Sequence, residues 1–517
     1  MKLKLNSTMI IHPILFTIFP LLLITFSNLD EIIYTDVIFS FLLIMSIMLV
    51  SWFALNLFLK NKLKSGLFMS LGLVFFFSYN IFLDNIASIV IDVSTLPFSH
   101  HTYAVPLYFI MFFLGIYAIF KIKKRIKDVT ALTNIIAIVL IVMLLPNVAS
   151  YALEKNNDEL VHNDIDYRIL QEPELKDKPN IYYIIVDEYT SDEILAEIYN
   201  YDNQEFLSQL TKRGFHIPST SYTNYATSSL AISASLNMSY MNNFTTQSGF
   251  DNRNEVYNNN QIMQILKSLD YTIITMSSEY GYPEIADYHL CPTAMFVNQF
   301  HSKLIDGSIL QPFSKFFVTA GDPQRERVLC KFSELSNLEN SFDSPFFVFD
   351  HMMSPHPPYL FGPNGESMNS EFLSIGAASW DNKSGYVNQV QFINKKIIET
   401  VDKILLESDL PPIIIIQGDH GTPTQLGGGG LRWNNNINDD SITERMSIFN
   451  AYYFPNIDSK IIHDGITPVN SFRLVLNNYL NGNYELLEDR MYFSTYQNEY
   501  NFTDVTLMLN SKTNLSD

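Results

Sequence analysis

The sequence predicts a chain in two parts, an all-α transmembrane domain of five helices at the amino end and an exported α/β domain behind it. Nearly all of the long apolar runs lie before residue 151. Beyond that point, short continuous apolar runs alternate with segments of helical period, which is typical of a mostly parallel sheet covered by helices on both faces. The predicted boundaries are 1–153 for the transmembrane domain, 154–178 for a linker, 179–503 for the α/β domain and 504–517 for a polar C-terminal tail.

Five apolar segments are each close to the roughly 20 residues that a membrane-spanning helix needs. They run approximately over 9–27, 37–59, 66–82, 105–120 and 133–153. The first is longer than the apolar part of a typical cleaved signal, so we expect it to be retained as an anchor. Lys and Arg occur before the first segment, between the second and third, and between the fourth and fifth, but not in the other two loops. The amino terminus is therefore predicted to be cytoplasmic and everything after the fifth segment to be outside.

The exported part is strongly acidic. Up to Tyr151 the chain holds 10 basic and 6 acidic residues, which leaves 23 basic and 47 acidic residues and a net charge of −24 for the remainder. Bulk electrostatics would repel both nucleic acid and an anionic lipid surface, so nucleic acid is excluded as a partner. An anionic substrate would need local positive charge, such as a bound metal ion.

The chain has two cysteines, Cys291 and Cys330. They fit one disulfide in an oxidising compartment or two buried free thiols, and the sequence leaves both alternatives open.

The first strand predicted in the exported part is Ile181–Val186, a continuous apolar and aromatic run after Pro179 and Asn180. Such a run is expected of a strand that is buried on both faces. It ends in Asp187 and Glu188, which places acids at the carboxyl end of a central strand. The alternative is an acidic turn that caps the next helix.

Three consecutive hydroxyl residues, Thr227, Ser228 and Ser229, follow a short strand predicted at 215–217 and precede a run of helical period. A hydroxyl at the amino end of a helix is most often an N-cap. It is also a good place for a nucleophile, because the free backbone N–H groups and the helix dipole would hold an incoming phosphate. A helix at 261–269 and a strand at 272–276 continue the alternation.

Two histidines follow the next buried strand, which is predicted at 345–349. His351 and His356 would lie near its carboxyl end, in a loop that its prolines stiffen. In isolation, each histidine is also compatible with an ordinary surface position. A helix is predicted over 386–406, before the last buried strand.

That last strand, at 411–416, contains four isoleucines bounded by prolines and a turn signal. It delivers Asp419 and His420 to its carboxyl end. An adjacent carboxylate and imidazole are good ligands for a divalent metal, although two ligands do not make a site. The alternative is a turn in which Asp419 caps the following segment. A strand that closes the sheet is predicted within residues 444–455.

The candidate residues therefore come from four separate strand ends or helix starts. In a parallel sheet these ends lie on one side, so we expect the side chains to meet there. Acids and a histidine can hold a divalent metal, and the metal lowers the pKa of a coordinated hydroxyl, which can then attack phosphorus or sulfur.

At this point the chain resembles the alkaline phosphatase superfamily, specifically its sulfatase-like branch, through IVDEY, NYATSSLAISASLNM, HMMSPHPPY, QGDHG and ERMSIFNAYYFP, roughly between residues 179 and 455. The five spans followed by an exported domain resemble lipoteichoic acid synthases and lipid A phosphoethanolamine transferases. The resemblance implies that Asp187, Ser228, Asp419 and His420 bind a divalent metal (Zn, Mn, Mg or Ca) and that His356 lies beside the leaving oxygen. His351 and Glu188 are further candidates, the first catalytic and the second a metal ligand.

Ser228 is chosen as the nucleophile because related proteins place a Thr four positions after the Asn of an Asn-Tyr pair, here Asn224 and Tyr225. Thr227 and Ser229 remain alternatives, since the register of a serine-rich turn slips easily by one. The chain departs from true arylsulfatases, which need Cys or Ser followed by x-Pro-x-Arg for conversion to formylglycine. Formylglycine chemistry is therefore not expected.

The sequence thus predicts a metal-dependent enzyme in a bacterial-type plasma (inner) membrane, with its catalytic domain on the periplasmic or extracellular side. It would transfer phosphoglycerol or phosphoethanolamine from a membrane phospholipid to a surface glycan or lipid through a covalent intermediate. Two alternatives stay open, a sulfatase-like hydrolase whose acceptor is water and a non-catalytic membrane scaffold.

Overall fold

The computed structural model describes residues 9–26, 34–83, 100–144, 178–244, 253–277, 283, 285–291, 304–305, 307–313, 322–368, 380–426, 437–495 and 498–513. The predicted linker lies outside the described residues except for Lys178. The chain divides into two compact units, residues 1–157 with 294–320 and residues 158–293 with 321–517. The domain boundaries expected from the sequence stay predictions.

The described part of the first unit is helical. Its helices are α1 (His12–Phe26), α2 (Tyr34–Leu59), α3 (Lys62–Phe77), α4 (Tyr79–Phe82), α5 (His100–Lys121) and α6 (Ile126–Val142). Each of the five predicted spans overlaps at least one of these helices, and the third overlaps both α3 and α4. Two of the helices, over Val37–Leu59 and Ala104–Lys121, are long and apolar enough to cross a membrane, and His12–Thr25 is a shorter apolar helix. The count of five spans and their orientation stay predictions.

Polar contacts join helices within this unit. The Nδ1 of His12 in α1 hydrogen-bonds the hydroxyl of Ser70 in α3 at 2.5 Å. The side-chain oxygen of Asn134 in α6 accepts from the backbone N–H of His12 at 3.1 Å. Residues 294–320 also belong to this unit, where the backbone N–H of Ile309 donates to the carbonyl of Phe76 at 2.8 Å. No sequence pattern predicted that this segment joins the helical unit.

The second unit alternates helices and strands. Its strands are β1 (Ile181–Val186), β2 (Thr272–Met276), β3 (Tyr288–Leu290), β4 (Phe346–Met352), β5 (Ile413–Gln417), β6 (Asn450–Tyr453), β7 (Tyr492–Thr495) and β8 (Asn498–Asp504). Its α-helices are α7 (Asp192–Glu197), α8 (Gln204–Lys212), α9 (Ser228–Asn237), α10 (Arg253–Asn258), α11 (Gln261–Ser268), α12 (Asp322–Leu335), α13 (Leu338–Ser341), α14 (Lys383–Glu407), α15 (Asp439–Met446), α16 (Ser471–Tyr479) and α17 (Thr506–Thr513).

Six of the described strands form one sheet in the order β3-β2-β4-β1-β5-β6. The first five are parallel, and β6 runs antiparallel to β5 at one edge. β7 and β8 pair separately as an antiparallel hairpin. The prediction of a mostly parallel sheet is confirmed.

Helices cover both faces of this sheet. Tyr182, Ile184 and Val186 of β1 belong to one hydrophobic core, which α8, α12 and α14 complete. The alternate residues, Ile181 and Tyr183 among them, belong to a second core completed by α9, α11 and α16. Because side chains point alternately to the two faces of a strand, β1 contributes to both cores and is buried along its whole length.

The predicted strands at 181–186 and 272–276 coincide with β1 and β2, and the predicted strand at 411–416 overlaps β5. The strand predicted at 345–349 corresponds to β4, which is longer than predicted. β4 continues through Asp350 and His351, both of which are buried. The prediction of a strand at 215–217 is wrong. In the structure, His216 makes only an isolated β-bridge to Tyr452.

The segment predicted as a closing strand, 444–455, is divided between two elements. Glu444 to Met446 end α15, and only Asn450–Tyr453 forms β6. The polar C-terminal tail contains α17, whose Leu509 is buried.

Candidate metal centre

The sheet register brings the ends of three neighbouring strands together. Val186 of β1 lies opposite Met352 of β4, and Ile185 lies opposite both His351 and Gln417. Asp187 therefore follows β1 at the end of β4, where its backbone N–H donates to the carbonyl of Met352 at 2.9 Å, and Asp419 comes two residues after β5. This is the carboxyl edge of the parallel strands, where open α/β sheets bind their ligands.

The glycines that flank Asp419 and His420 are required by close backbone contacts. A Cβ at Gly418 would collide with the carbonyl oxygen of Tyr189, just after the Asp187 turn. A Cβ at Gly421 would collide with the carbonyl oxygen of Glu444 and lie 2.7 Å from that of Ser447. The Gly-Asp-His-Gly sequence thus allows this loop to pack directly against two neighbouring segments.

Asp187, Asp419 and His420 form a buried cluster. Each offers one ligand atom, and these atoms lie within 4.8 Å of one another. The Oδ1 of Asp419 accepts hydrogen bonds from the backbone N–H groups of Glu188 (3.1 Å) and His420 (2.9 Å). Those two bonds hold the carboxylate so that Oδ2 lies 3.5 Å from His420 Nε2.

Ser228 faces this cluster from the amino end of α9. Its Oγ lies 2.9 Å from His420 Nε2, and the residue is buried. The alternative hydroxyls point elsewhere, since Thr227 Oγ1 and Ser229 Oγ both donate to Glu499 Oε1, at 3.2 and 3.0 Å. Of the three hydroxyls, the structure brings Ser228 to the candidate ligands.

His351 lies against both carboxylates. Its Nε2 is 3.3 Å from Asp187 Oδ2 and 3.7 Å from Asp419 Oδ2. Burial lowers the pKa of His351 to about 4. Burial, and next the charge of Arg445, lower the pKa of His420 well below its usual value. Both rings are therefore neutral near pH 7, the form in which histidine binds a metal.

The two carboxylates place negative charge in a buried site. Burial, and next the neighbouring charge of Asp187, raise the pKa of Asp419 to about 7. Two carboxylates this close repel each other unless a cation lies between them. Two buried carboxylates beside neutral imidazoles are a donor set that fits a divalent cation. The residues present thus fit the metal that the superfamily implies, without fixing its identity.

His356 lies at the edge of the same region. Its backbone N–H donates to the carbonyl of Asp187 at 3.2 Å, and its Nδ1 lies 2.6 Å from the carbonyl of Pro357. A carbonyl accepts only, so Nδ1 carries the proton of the neutral ring and Nε2 is the nitrogen that would gain or lose one. Its ring also meets Trp380 edge to face, with centroids 5.8 Å apart.

Glu188 has other partners than the cluster. Its Oε1 accepts from Nη1 of Arg445 at 3.0 Å, and its Oε2 accepts from Nε1 of Trp380 at 2.9 Å. Both oxygens are thus engaged away from Asp187 and Asp419. As a metal ligand, Glu188 stays a prediction that these contacts do not favour.

Three contributors were not identified from the sequence. Arg445 and Trp380 hold Glu188, and Glu499 binds the hydroxyls on either side of Ser228. The charged pair Glu444 and Arg445, at the start of the predicted closing strand, was an available sequence signal for buried charges. Glu499 carried no signal, because it lies in a polar hairpin far along the chain.

Comparison with known proteins adds a family. Residues 179–445, just over half of the chain, match the family described as Sulfatase. No curated protein matches the chain at a significant level.

Several solved structures are similar at low identity. The C-terminal periplasmic domain of EptC from Escherichia coli aligns at 11% identity with a TM-score of 0.41, covering 65% of this chain and 94% of that one. The integral membrane protein lipooligosaccharide phosphoethanolamine transferase A from Neisseria meningitidis aligns at 12% identity with a TM-score of 0.42. The alignment covers 90% of this chain and 95% of that one. An alkaline phosphatase superfamily protein from Vibrio parahaemolyticus aligns at 12% identity with a TM-score of 0.39. The alignment covers 62% of this chain and 74% of that one.

Proposed function

Because the chain belongs to the sulfatase family of alkaline phosphatase superfamily enzymes, we propose that it transfers a phosphorus-containing head group from a membrane lipid to a surface glycan or lipid. The head group would be phosphoglycerol or phosphoethanolamine, carried on Ser228 as a covalent intermediate. The proposal includes a location in a bacterial-type plasma membrane, with the second unit on the periplasmic or extracellular side.

The observation that carries this proposal is that the hydroxyl of Ser228 has a different partner from the hydroxyls of Thr227 and Ser229. Its Oγ lies 2.9 Å from His420 Nε2, whereas the hydroxyls of Thr227 and Ser229 bond Glu499. A nucleophile must lie beside the groups that activate it, and Ser228 alone of the three does so.

The residues around Ser228 support a two-step exchange. A divalent ion held by Asp187, Asp419 and His420 would lower the pKa of the Ser228 hydroxyl and stabilise charge on the phosphoryl oxygens. Once the Ser228 hydroxyl has released its proton to solvent, its Oγ attacks phosphorus, so that the Oγ–P bond forms and the bond from phosphorus to the lipid oxygen breaks. His356 gives a proton to that oxygen, then takes one from the acceptor hydroxyl that attacks the phosphoserine and restores Ser228.

The amino-terminal helices support a lipid as donor. The described residues include two helices long and apolar enough to cross a membrane. An enzyme that acted only on soluble esters would have little need of such helices, whereas a donor in the bilayer stays beside an anchored active site.

The residues after Ser228 argue against formylglycine chemistry. Conversion to formylglycine needs Pro and Arg at the second and fourth positions after the modified residue, and this chain has Leu230 and Ile232 there. The hydroxyl of Ser228 itself is therefore the reactive group.

The test uses the full chain in detergent with phosphatidylglycerol or phosphatidylethanolamine labelled in the head group. We expect label on Ser228 by mass spectrometry and transfer to an added glycan or lipid acceptor. Ser228→Ala should lose both label and turnover by at least about 10³-fold. Ser229→Ala is the matched control, because it removes a neighbouring hydroxyl that bonds Glu499.

Unchanged turnover or labelling in Ser228→Ala would reject the covalent intermediate. Release of free head group without an added acceptor would instead identify a hydrolase whose acceptor is water. If the wild-type chain is neither labelled nor active toward either lipid, the proposed donor class is wrong.

A further inference from the structure

We propose that the buried pair formed by Glu188 and Arg445 is a positioning brace that fixes the metal ligands and Ser228 relative to one another. The proposal rests on the proposed function only in naming Ser228 as the nucleophile. Neither residue is proposed to touch the substrate or to bind the metal. Their effect would pass through the backbone segments that they hold.

Arg445 joins three segments of the site. Its Nε donates to the carbonyl of Ala226 at 2.9 Å, two residues before Ser228. Its Nη1 donates to the carbonyl of Gly421 at 2.7 Å, next to His420, and to Glu188 at 3.0 Å. The side chain is 2% exposed. One guanidinium thus fixes the nucleophile turn, the metal loop and the turn after β1.

Glu188 lies in the third of these segments, the turn after β1, and links it to the metal loop. Its backbone N–H donates to Asp419 Oδ1 at 3.1 Å, so its conformation sets the orientation of a candidate ligand. Its φ of +59° lies in the left-handed region, which is unfavourable for a residue with a side chain. The hydroxyl of Tyr386 donates to its carbonyl at 2.6 Å, and Trp380 and Arg445 hold its carboxylate. These contacts keep Glu188 in that conformation.

The chemistry of the pair favours positioning over general stabilisation. A buried ion pair often contributes little net stability compared with apolar side chains of similar size, because both charges must be desolvated. An apolar pair could not bond the carbonyls of Ala226 and Gly421 together with a carboxylate. A lysine could not either, since its ammonium is a point charge and lacks the planar set of donors.

Residues outside the ligand sphere that orient metal ligands typically change metal affinity or activity about 10- to 100-fold when they are substituted. We therefore expect Arg445→Lys to weaken Mn²⁺ and Zn²⁺ binding by about 10- to 100-fold. Turnover should fall by a similar factor through kcat with KM nearly unchanged, because neither residue is proposed to touch the substrate. Glu188→Gln, which keeps the size of the side chain, should shift both quantities in the same direction by a smaller factor.

The experiment measures metal affinity of the full chain in detergent by competition with a chelating dye, together with thermal unfolding and lipid turnover. Arg213→Lys is the matched control, because Arg213 pairs with Asp402 through two bonds of 2.6 and 2.7 Å at the surface of the same unit. That control should leave metal affinity and kcat unchanged. The double variant Glu188→Gln with Arg445→Lys should lose no more affinity than Arg445→Lys alone, since the two residues act as one unit.

A purely structural pair would lower the unfolding temperature while metal affinity and kcat of the folded protein stayed at wild-type values, and that result overturns the proposal. If Arg445→Lys does not fold, Glu188→Gln decides by the same two measurements. Failure of the proposed function is distinguishable, because it would show as unlabelled wild-type protein, whereas the metal-affinity measurement needs no substrate.

Discussion

The raised pKa of Asp419 predicts how metal binding depends on pH. In the metal-free protein, burial and the charge of Asp187 raise the pKa of Asp419 to about 7. A carboxylate must be deprotonated to bind a metal, so below this pKa the ion has to displace a proton. Apparent affinity should therefore rise about tenfold for each pH unit below pKa 7 and level off above it.

The size of the effect follows from the same value. At pH 5, two units below its pKa, about one Asp419 side chain in 100 is ionised, and at pH 8 nearly all are. Affinity should be about 100-fold weaker at pH 5 than at pH 8, or about 2.7 kcal/mol. An aspartate with an ordinary pKa of about 3.9 would give almost no change over this range.

The protonation states of His351 and His420 determine how many protons are released when the metal binds. The pKa of His351 is about 4 and that of His420 is lowered well below its usual value, so both are already neutral at pH 5. They should release no appreciable proton when the metal binds. Ordinary histidines, with a pKa of about 6.5, would each release nearly one proton at pH 5.

The assay is isothermal titration calorimetry of Mn²⁺ or Zn²⁺ in pairs of buffers that differ in protonation enthalpy. The full chain carries Ser228→Ala, so that ionisation of this hydroxyl does not contribute. We expect about one proton released per metal at pH 5 and progressively fewer as the pH rises through the raised pKa of Asp419. Release of two or more protons at pH 5, or of none, would refute the assigned protonation states of Asp419, His351 and His420.

Two further predictions concern the structure around the site. Gly418→Ala should destabilise the protein by about 1–3 kcal/mol and weaken metal binding, because the new Cβ collides with the Tyr189 carbonyl. Thermal unfolding and metal titration measure the two effects. Gly72→Ala is the control, because a Cβ at Gly72 meets nothing within 4 Å. Cys291 and Cys330 form a disulfide across a sequence separation of 39 residues, so removing both sulfurs by substitution with Ala should cost about 4 kcal/mol. An unchanged unfolding temperature in either variant would contradict the corresponding contact.

Much of the second unit was predictable because its strands are buried on both faces. β1 and β2 coincide with predicted runs, since a strand enclosed by helices must be apolar at nearly every position. β4 was predicted too short at its carboxyl end because Asp350 and His351 look polar in sequence. In the structure, Lys331 lies 2.8 Å from Asp350 and also donates to the carbonyl of His351 at 2.5 Å, so these residues stay buried within the strand.

The candidate site was predictable in its ligands and not in its supports. Asp187, Asp419 and His420 each follow a recognisable strand, so their meeting could be inferred from the parallel order alone. The parallel order alone could not choose among Thr227, Ser228 and Ser229, and the preference for Ser228 came from the spacing after Asn224 and Tyr225 that the family resemblance implies. In the structure the other two hydroxyls bond Glu499, which lies 270 residues after Ser229 and which no local pattern connects to this turn.

The sequence by itself determined the class of the second unit, the strand ends that carry the ligands and the resemblance to the sulfatase-like branch, because these depend on local periodicity and short motifs. Only the tertiary structure decided the partners of Glu188 and Arg445, the pairing of Cys291 with Cys330 and the return of residues 294–320 to the helical unit. Those contacts join residues far apart in the chain. Their geometry is set by packing across the sheet, which no local pattern records.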